Sequence, residues 1–260
     1  MVLNIKEFVK EWKQEMSNSI NKEVSLAIIQ VGDIEASNRY VKNKLKDCAE
    51  VGIIGNLYKL DSNVSTQQIC NLINNCSEDG IIVQLPLPSH IDVQRVTETI
   101  PLEKDVDGFK SDSKFTPCTP GGILKYLKHI NFNLDGANAV ILGRSNIVGK
   151  PMAKLLLKEN CTVSICHTHT KEDDRLLLLN NADLVICATG HRGSMTSRQA
   201  PNAFIVDVGI NFDENNKLCG DVLIFPGDEH RVTPVPGGVG LLTRCMLLQN
   251  TIEASKWVQH

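Results

Sequence analysis

Aromatic residues are sparse, at 5% of 260 positions, and no excess of positive charge is present. The 27 Lys and Arg face 30 Asp and Glu, for a formal net charge of -3. A nucleic-acid partner, which needs a broadly basic face, is therefore not expected. No apolar run approaches the roughly 20 residues that span a bilayer, so no membrane association is expected. The stretch Met1–Lys13 mixes lysines and glutamates where a signal peptide would have its apolar core. The nine cysteines contain no C-x-x-C pair, which argues against zinc, and no metal site is expected. Their scatter and odd number suit small buried apolar residues in a reducing, cytoplasmic setting. Internal repeats and low-complexity tracts are also missing.

What the chain does contain is alternation. Asn4–Met16 reads as an amphipathic helix, 24–31 (VSLAIIQV) as a buried strand, 36–50 as a helix and 55–60 as a second strand. A helix over 66–75 and a strand over 80–84 follow, the latter stopped by LPLPSH because proline cannot donate to a sheet ladder. Pro117–Pro120 reads as a linker into a helix at 121–129. Strands are then expected at 139–142, 161–166, 183–188 and 203–208. A Gly/Pro-rich loop over 233–240 leads to a last helix at 242–258. Such alternation implies βαβ units and parallel sheets, an α/β fold.

Between the strand at 139–142 and the helix at 150–157 lies Gly143-Arg144-Ser145-Asn146-Ile147-Val148-Gly149. Strand, tight turn and helix N-terminus together expose backbone N–H groups that can bind a pyrophosphate. Ser145 stands where G-x-G-x-x-G has its second glycine, so the turn by itself is also compatible with a purely structural role. A further absence informs the choice of nucleotide. NAD-binding folds of this kind carry a carboxylate at the end of the second strand, hydrogen-bonded to the ribose 2′-hydroxyl. Here that strand ends in Cys166-His167-Thr168-His169-Thr170-Lys171. Arg144 and Thr168 are instead suited to a 2′-phosphate, so the cofactor expected is NADP.

In the helix at 36–50, Val41, Leu45 and Cys48 fall on one stripe at 100° per residue. Tyr40 and Lys44 share a face about a quarter-turn away, while Lys42 and Lys46 point to the far side. Pattern alone favours a snorkelling lysine at 44 over a desolvated base. Gln84 sits at the C-terminal end of a parallel strand, where open α/β sheets place ligands. Asp105 and Asp107, in KDVDGF, can fix a turn or recognise a heterocycle bearing adjacent N–H donors.

The ordered motifs YVKNK, VQLPLP, KDVDGF, PCTP, GRSNIVGKPM, DVGIN, GDV and TPVPGGVG resemble those of the methylenetetrahydrofolate dehydrogenase/methenyltetrahydrofolate cyclohydrolase family. The likeness runs from about Val24 to Lys256. It implies two α/β domains with a cleft between them. Residues 1–118 plus 242–260 would form a folate-binding catalytic domain, and 119–241 a Rossmann-like NADP-binding domain. The activities implied are NADP-dependent oxidation of 5,10-methylenetetrahydrofolate and hydrolysis of the methenyl product, in a cytoplasmic homodimer acting on tetrahydrofolate one-carbon derivatives. Weighed against this are a monofunctional NAD(P)-dependent dehydrogenase and a non-catalytic folate- or nucleotide-binding protein.

By the same resemblance Lys44 is the catalytic lysine, Tyr40 packs on the folate beside it, and Gln84 hydrogen-bonds the lysine. Asp107 anchors the pterin and Asp105 is structural. Val83, Leu85, Pro236, Gly237, Gly238, Val239 and Gly240 line the folate site. Gly143, Arg144, Ser145, Thr168 and Ile210 contact the cofactor. The chain departs from the family pattern in a shorter N-terminal segment, in Glu35 where proline is usual, and in Leu241-Leu242 where Pro-Met is common.

Overall fold

In the computed structural model, which describes residues 4–110 and 112–257, the chain divides into two compact units. One comprises Lys10–Cys118 with the chain from Arg244 onward. The other comprises Thr119–Thr243 with the chain up to Val9. Three helices, α1 (Ile5–Ser19), α5 (Cys118–His129) and α8 (Val239–Ser255), have residues in both.

The unit built on Lys10–Cys118 carries β1 (Ser25–Val31), α2 (Glu35–Val51), β2 (Ile54–Leu60), α3 (Thr66–Asn75), β3 (Gly80–Val83) and α4 (Val93–Thr99). Its sheet is parallel, in the order β2-β1-β3. The central strand β1 has Leu26, Ala27, Ile28 and Ile29 fully buried, as befits a strand covered on both faces. Edge strand β2 leaves Ile54 and Leu57 exposed. Ala27, Ile29, Val31, Ile69, Ile73 and Ile81 belong to one apolar cluster, into which α3 and β3 pack. Helix α3 starts at a reciprocal cap, in which Ser65 Oγ accepts from Gln68 N and Ser65 N donates to Gln68 Oε1 at 2.9 Å. Beyond Arg244, α8 belongs to this unit: Gln249 accepts from the Trp12 indole at 2.9 Å. Asn250 donates to the carbonyls of Val106 and Thr116 at 2.8 and 2.9 Å.

The other unit carries β4 (Asn138–Leu142), α6 (Gly149–Lys158), β5 (Thr162–Cys166), α7 (Glu172–Asn180), β6 (Leu184–Cys187), β7 (Met195–Thr196), β8 (Phe204–Asp207), β9 (Asn211–Phe212), β10 (Leu218–Cys219) and β11 (Val222–Leu223). Its main sheet is parallel in the order β5-β4-β6-β8. Val140, Leu142, Val185, Cys187 and Ile205 form its inner cluster with Leu179 of α7.

The α/β class with parallel sheets is as the alternation predicted. Several boundaries differ, among them the starts of two helices. Cys118, Thr119 and Pro120 open α5 and do not precede it. Proline is tolerated there because the first-turn N–H groups have no intrahelical partner. Helix α8 starts at Val239, so Val239 and Gly240 lie in its first turn and not in a loop. Its expected end, Val258, lies outside the described residues. Helices α4 and α7 have no counterpart in the sequence reading. The Leu85–Pro86 and Val235–Pro236 peptides are cis.

Candidate active site

Sheet order fixes where each unit can hold a ligand. In the first, β1 is flanked by β2 and β3; in the second, β4 is flanked by β5 and β6. In the second unit the connection leaving β4 runs to β5 and the chain leaving β6 runs to β8 on the other side, and in the first the connection leaving β1 runs to β2, away from β3. Each sheet thus has a crevice beyond the C-terminal ends of its central pair, β4 with β6 and β1 with β3. Gln84 follows β3 directly and extends its ladder, its N–H reaching the Ile29 carbonyl at 2.8 Å. Gly143 follows β4.

Helix α2 rises from the C-terminal end of β1. Val41 and Cys48 are buried, Lys42 and Lys46 are exposed, and Tyr40 and Lys44 are half-buried at the border. The 100° periodicity thus places Lys44 apart from its solvated neighbours. Lys44 Nζ donates to Gln84 Oε1 at 3.1 Å, while Gln84 Nε2 donates to the Leu85 carbonyl at 2.7 Å. The second bond sets the orientation of the amide: with the NH2 held by a carbonyl, oxygen is what faces the lysine. A neutral amine can give one N–H to that oxygen and keep its lone pair free.

Asp107 lies close enough for the Lys44 charge to lower its pKa, yet burial outweighs this and holds the carboxyl above its ordinary value. The turn carrying it is closely packed. Gly108 has φ +69°, and a Cβ there would stand 2.8 Å from the Pro117 backbone. Asp105 is buried and accepts from the N–H groups of Phe109 and Lys110 at 3.4 and 3.1 Å, a turn-fixing role. Two thiols stand nearby. Burial pushes Cys48 up to about 12 and Cys118 well above its usual value, so neither offers a thiolate at neutral pH.

In the other unit, Gly143 (φ +112°) leaves no room for a side chain, since a Cβ would be 2.3 Å from the Ala188 carbonyl oxygen. Gly149 is as tightly placed, since a Cβ there would be 2.2 Å from the Gly143 oxygen. Ser145 Oγ accepts from Val148 N and Gly149 N at 3.1 and 3.3 Å. That replaces the second glycine of the usual fingerprint with an internal cap. The backbone N–H groups of Arg144, Ser145, Asn146 and Ile147 donate to no partner among the described residues. An unpaired row of donors beside a helix N-terminus fits a phosphate-bearing cofactor. Arg144 and Thr168 are exposed. The first carboxylate after β5, Glu172, comes only in the first turn of α7 and pairs with Arg175 at 2.5 Å, so the strand end itself carries no acidic residue.

Ile210 is exposed, on the turn after β8. Val83 is buried and Leu85 partly so; of the glycine loop, Pro236 and Gly240 are exposed and Gly238 and Val239 buried. Leu242 is fully buried, and its carbonyl would lie 2.7 Å from a Cβ at Gly122. Of the two leucines, Leu242 thus lies in the packed interior of its unit, whereas Leu241 is half-buried. Sequence reasoning gave no role to Asp207 or Asp221, both fully enclosed. The available signal was an aspartate close to a glycine twice over, at Asp207/Gly209 and Gly220-Asp221.

Residues 3–107 match the tetrahydrofolate dehydrogenase/cyclohydrolase catalytic domain, and residues 117–259 match the NAD(P)-binding domain of the same family. The chain is 40% identical over a 277-residue alignment to the bifunctional protein FolD of Listeria innocua, covering 98% of this chain and 97% of that one. Among solved structures it is similar to the bifunctional enzyme FolD, a methylenetetrahydrofolate dehydrogenase/cyclohydrolase, of Campylobacter jejuni. There the TM-score is 0.91, with 41% identity and 98% of both chains covered. It is also similar to the FolD of Trypanosoma brucei complexed with NADP cofactor and inhibitor. In that case the TM-score is 0.89 at 29% identity, over 99% of this chain and 97% of that one. With both domains matched in order and relatives aligned from end to end, the chain belongs to the tetrahydrofolate dehydrogenase/cyclohydrolase family.

Proposed function

We propose that the protein is a bifunctional one-carbon folate enzyme. It oxidises 5,10-methylenetetrahydrofolate to the methenyl cation with NADP and hydrolyses that cation to 10-formyltetrahydrofolate. The observation that carries this reading is the Lys44–Gln84 pair at 3.1 Å, with the amide held oxygen-first toward the amine. Bound NADP supplies the hydride acceptor. The donors left free at 144–147 are suited to its pyrophosphate, and Arg144 with Thr168 to its 2′-phosphate.

In the hydrolytic step, water adds to the bridging carbon and loses a proton to the Lys44 amine. The hydroxyl proton then passes to N5 as the bond from carbon to N5 breaks, and the formyl group remains on N10. A cationic substrate disfavours an ammonium beside it, which biases Lys44 toward the base form. A glutamine at 84 holds the amine without adding a negative charge that would keep it protonated. Asp107, in its tight turn, is suited to the N–H groups of the pterin, and Tyr40 to its aromatic tail. On this reading residues 1–118 with 242–260 hold the folate and 119–241 the nucleotide.

The enzyme is further taken as a cytoplasmic homodimer with no nucleic-acid partner. The nine free cysteines, eight of them buried, support a reducing compartment. The family likeness supports the dimer, and the net charge of -3 speaks against nucleic acid. Among the described residues no helix is long and apolar enough to cross a membrane.

The test is a spectrophotometric assay with methylenetetrahydrofolate, run in parallel with NADP and NAD, and a separate assay of methenyl hydrolysis. Reduction of NADP well above NAD, together with hydrolysis, is expected. Equal rates with the two nucleotides would overturn the cofactor assignment; reduction without hydrolysis would leave a monofunctional dehydrogenase.

A further inference from the structure

Two aspartates that the folate chemistry does not use are the most heavily hydrogen-bonded carboxylates in the nucleotide unit. Asp207, at the end of β8, accepts from Gly209 N and Asp221 N through Oδ1, both at 2.9 Å, and from Val222 N through Oδ2 at 3.0 Å. Asp221 accepts through Oδ2 from Thr189 N, Thr189 Oγ1 and Gly190 N at 2.7, 2.9 and 2.9 Å, and through Oδ1 from Asn211 Nδ2 at 2.8 Å. They are 2% and 0% exposed. Seven donors converge on two side chains that water does not reach, and every partner is a donor, so both oxygens of each group serve as acceptors.

The arrangement is reciprocal. A Cβ at Gly209 would lie 2.2 Å from Asp221 Oδ1, and one at Gly220 would lie 1.9 Å from Asp207 Oδ2. Each aspartate fills the space that a side chain would need on the segment carrying the other. Between them they fix two turns. One is Ala188-Thr189-Gly190 after β6, and its Ala188 carbonyl is the atom packed against Gly143. The other is Val208–Asn211 after β8, which carries Ile210. These turns stand at the C-terminal ends of adjacent strands, and the first borders the pyrophosphate turn itself. A loop end buried on this many charge-assisted bonds has little freedom to shift, and positioning of this kind is what a hydride-transfer site requires of its protein.

We propose that Asp207 and Asp221 form a carboxylate clamp that sets the nicotinamide-nucleotide-binding turns, with Asp221 a positioning residue for the dehydrogenase reaction and not for methenyl hydrolysis. The proposal rests on the functional reading above. Its test uses the full-length protein with Asp221→Asn, which keeps the shape and turns one acceptor into a donor facing other donors. NADP affinity is measured by calorimetry, the NADP-induced rise in Tm by thermal denaturation, and methenyl hydrolysis without nucleotide. The expected result is a Kd for NADP raised at least about tenfold, a smaller NADP-induced Tm rise, and hydrolysis within about twofold of wild type.

An unchanged Kd in the folded variant overturns the proposal. So does hydrolysis that falls in step with NADP affinity, since that marks general damage. If Asp221→Asn does not fold, Thr189→Val deletes a single donor and is read by the same three measurements. A Kd raised about threefold with hydrolysis retained supports the clamp, and no change refutes it. Failure of the functional reading is separable, because wild-type protein would then neither bind NADP nor hydrolyse the methenyl cation.

Discussion

Gln84→Glu alters the charge facing Lys44 while keeping the side-chain length, and so isolates the reason for an amide at this position. A carboxylate oxygen at the observed 3.1 Å from Nζ attracts an ammonium by about 1.3 kcal/mol at the dielectric of water, and by about 5 kcal/mol at the effective value of 20 used near protein surfaces. Lys44 is half-buried, so the true figure lies between these limits. Even the lower one favours the protonated amine about tenfold. Methenyl hydrolysis at neutral pH is therefore expected to fall at least tenfold. Its pH–rate profile should move toward alkaline pH by one unit or more, recovering rate where the ammonium is finally lost. Oxidation of methylenetetrahydrofolate needs no base and is expected to fall less. The assay is kcat for hydrolysis from pH 6 to 9.5 for both proteins, with Tm as a control for the lost donor to the Leu85 carbonyl. A variant that hydrolyses at the wild-type rate with an unshifted profile refutes the assignment of Lys44 as base.

Three other substitutions probe the rest of the account. Gly149→Ala drives a Cβ to 2.2 Å from the Gly143 oxygen; it is expected to cost about 1–3 kcal/mol of stability and to abolish the thermal stabilisation that NADP confers on wild type. Arg144→Ala removes the charge assigned to the 2′-phosphate and should lower the ratio of kcat/KM for NADP over NAD by about tenfold or more; an unchanged ratio would show that another group reads the phosphate. The Ser197 hydroxyl, and then the Arg231 guanidinium, hold Asp228 below its ordinary value of 3.8. Its ionised form therefore stabilises the fold above that pH, and this contribution is lost as pH falls through the lower folded value. Asp228→Asn should lower Tm at pH 7, with the difference closing below about pH 4; a gap independent of pH would assign the effect to geometry and not to charge.

The sheets were legible because their strands are short apolar runs bounded by turn residues: GIIV at 80–83 and LVIC at 184–187 are buried along their whole length. Helix α2 was legible in part: Val41 and Cys48 are buried and Tyr40 and Lys44 lie at the border as the spacing implies, but Leu45 is only half-buried, and the buried Ser37 and Asp47 gave no apolar signal. Helix α7 was not. Its Leu176–Leu179 run spans every face of a helix, so Leu179 is fully buried while Leu177 is 65% exposed, and no 3.6-residue period shows. Helix α4 is seven residues long and depends on an Asp92 cap. The paired strands β7 with β11 and β9 with β10 have two residues each, too few for any alternation. Asp207 and Asp221 are 14 residues apart, and their shared role exists only once β8 and the segment after it have folded back together. The early start of α8 follows from a close approach: a Cβ at Gly238 would be 2.2 Å from the Pro234 oxygen, which tightens the turn just before the helix.

The most direct test of the whole account is methenyl hydrolysis by Lys44→Met, a variant that keeps an unbranched side chain of similar length and removes the amine. The account predicts a folded protein with wild-type Tm within a few degrees, NADP binding intact, and hydrolysis reduced to the uncatalysed rate. Hydrolysis close to the wild-type rate would contradict it.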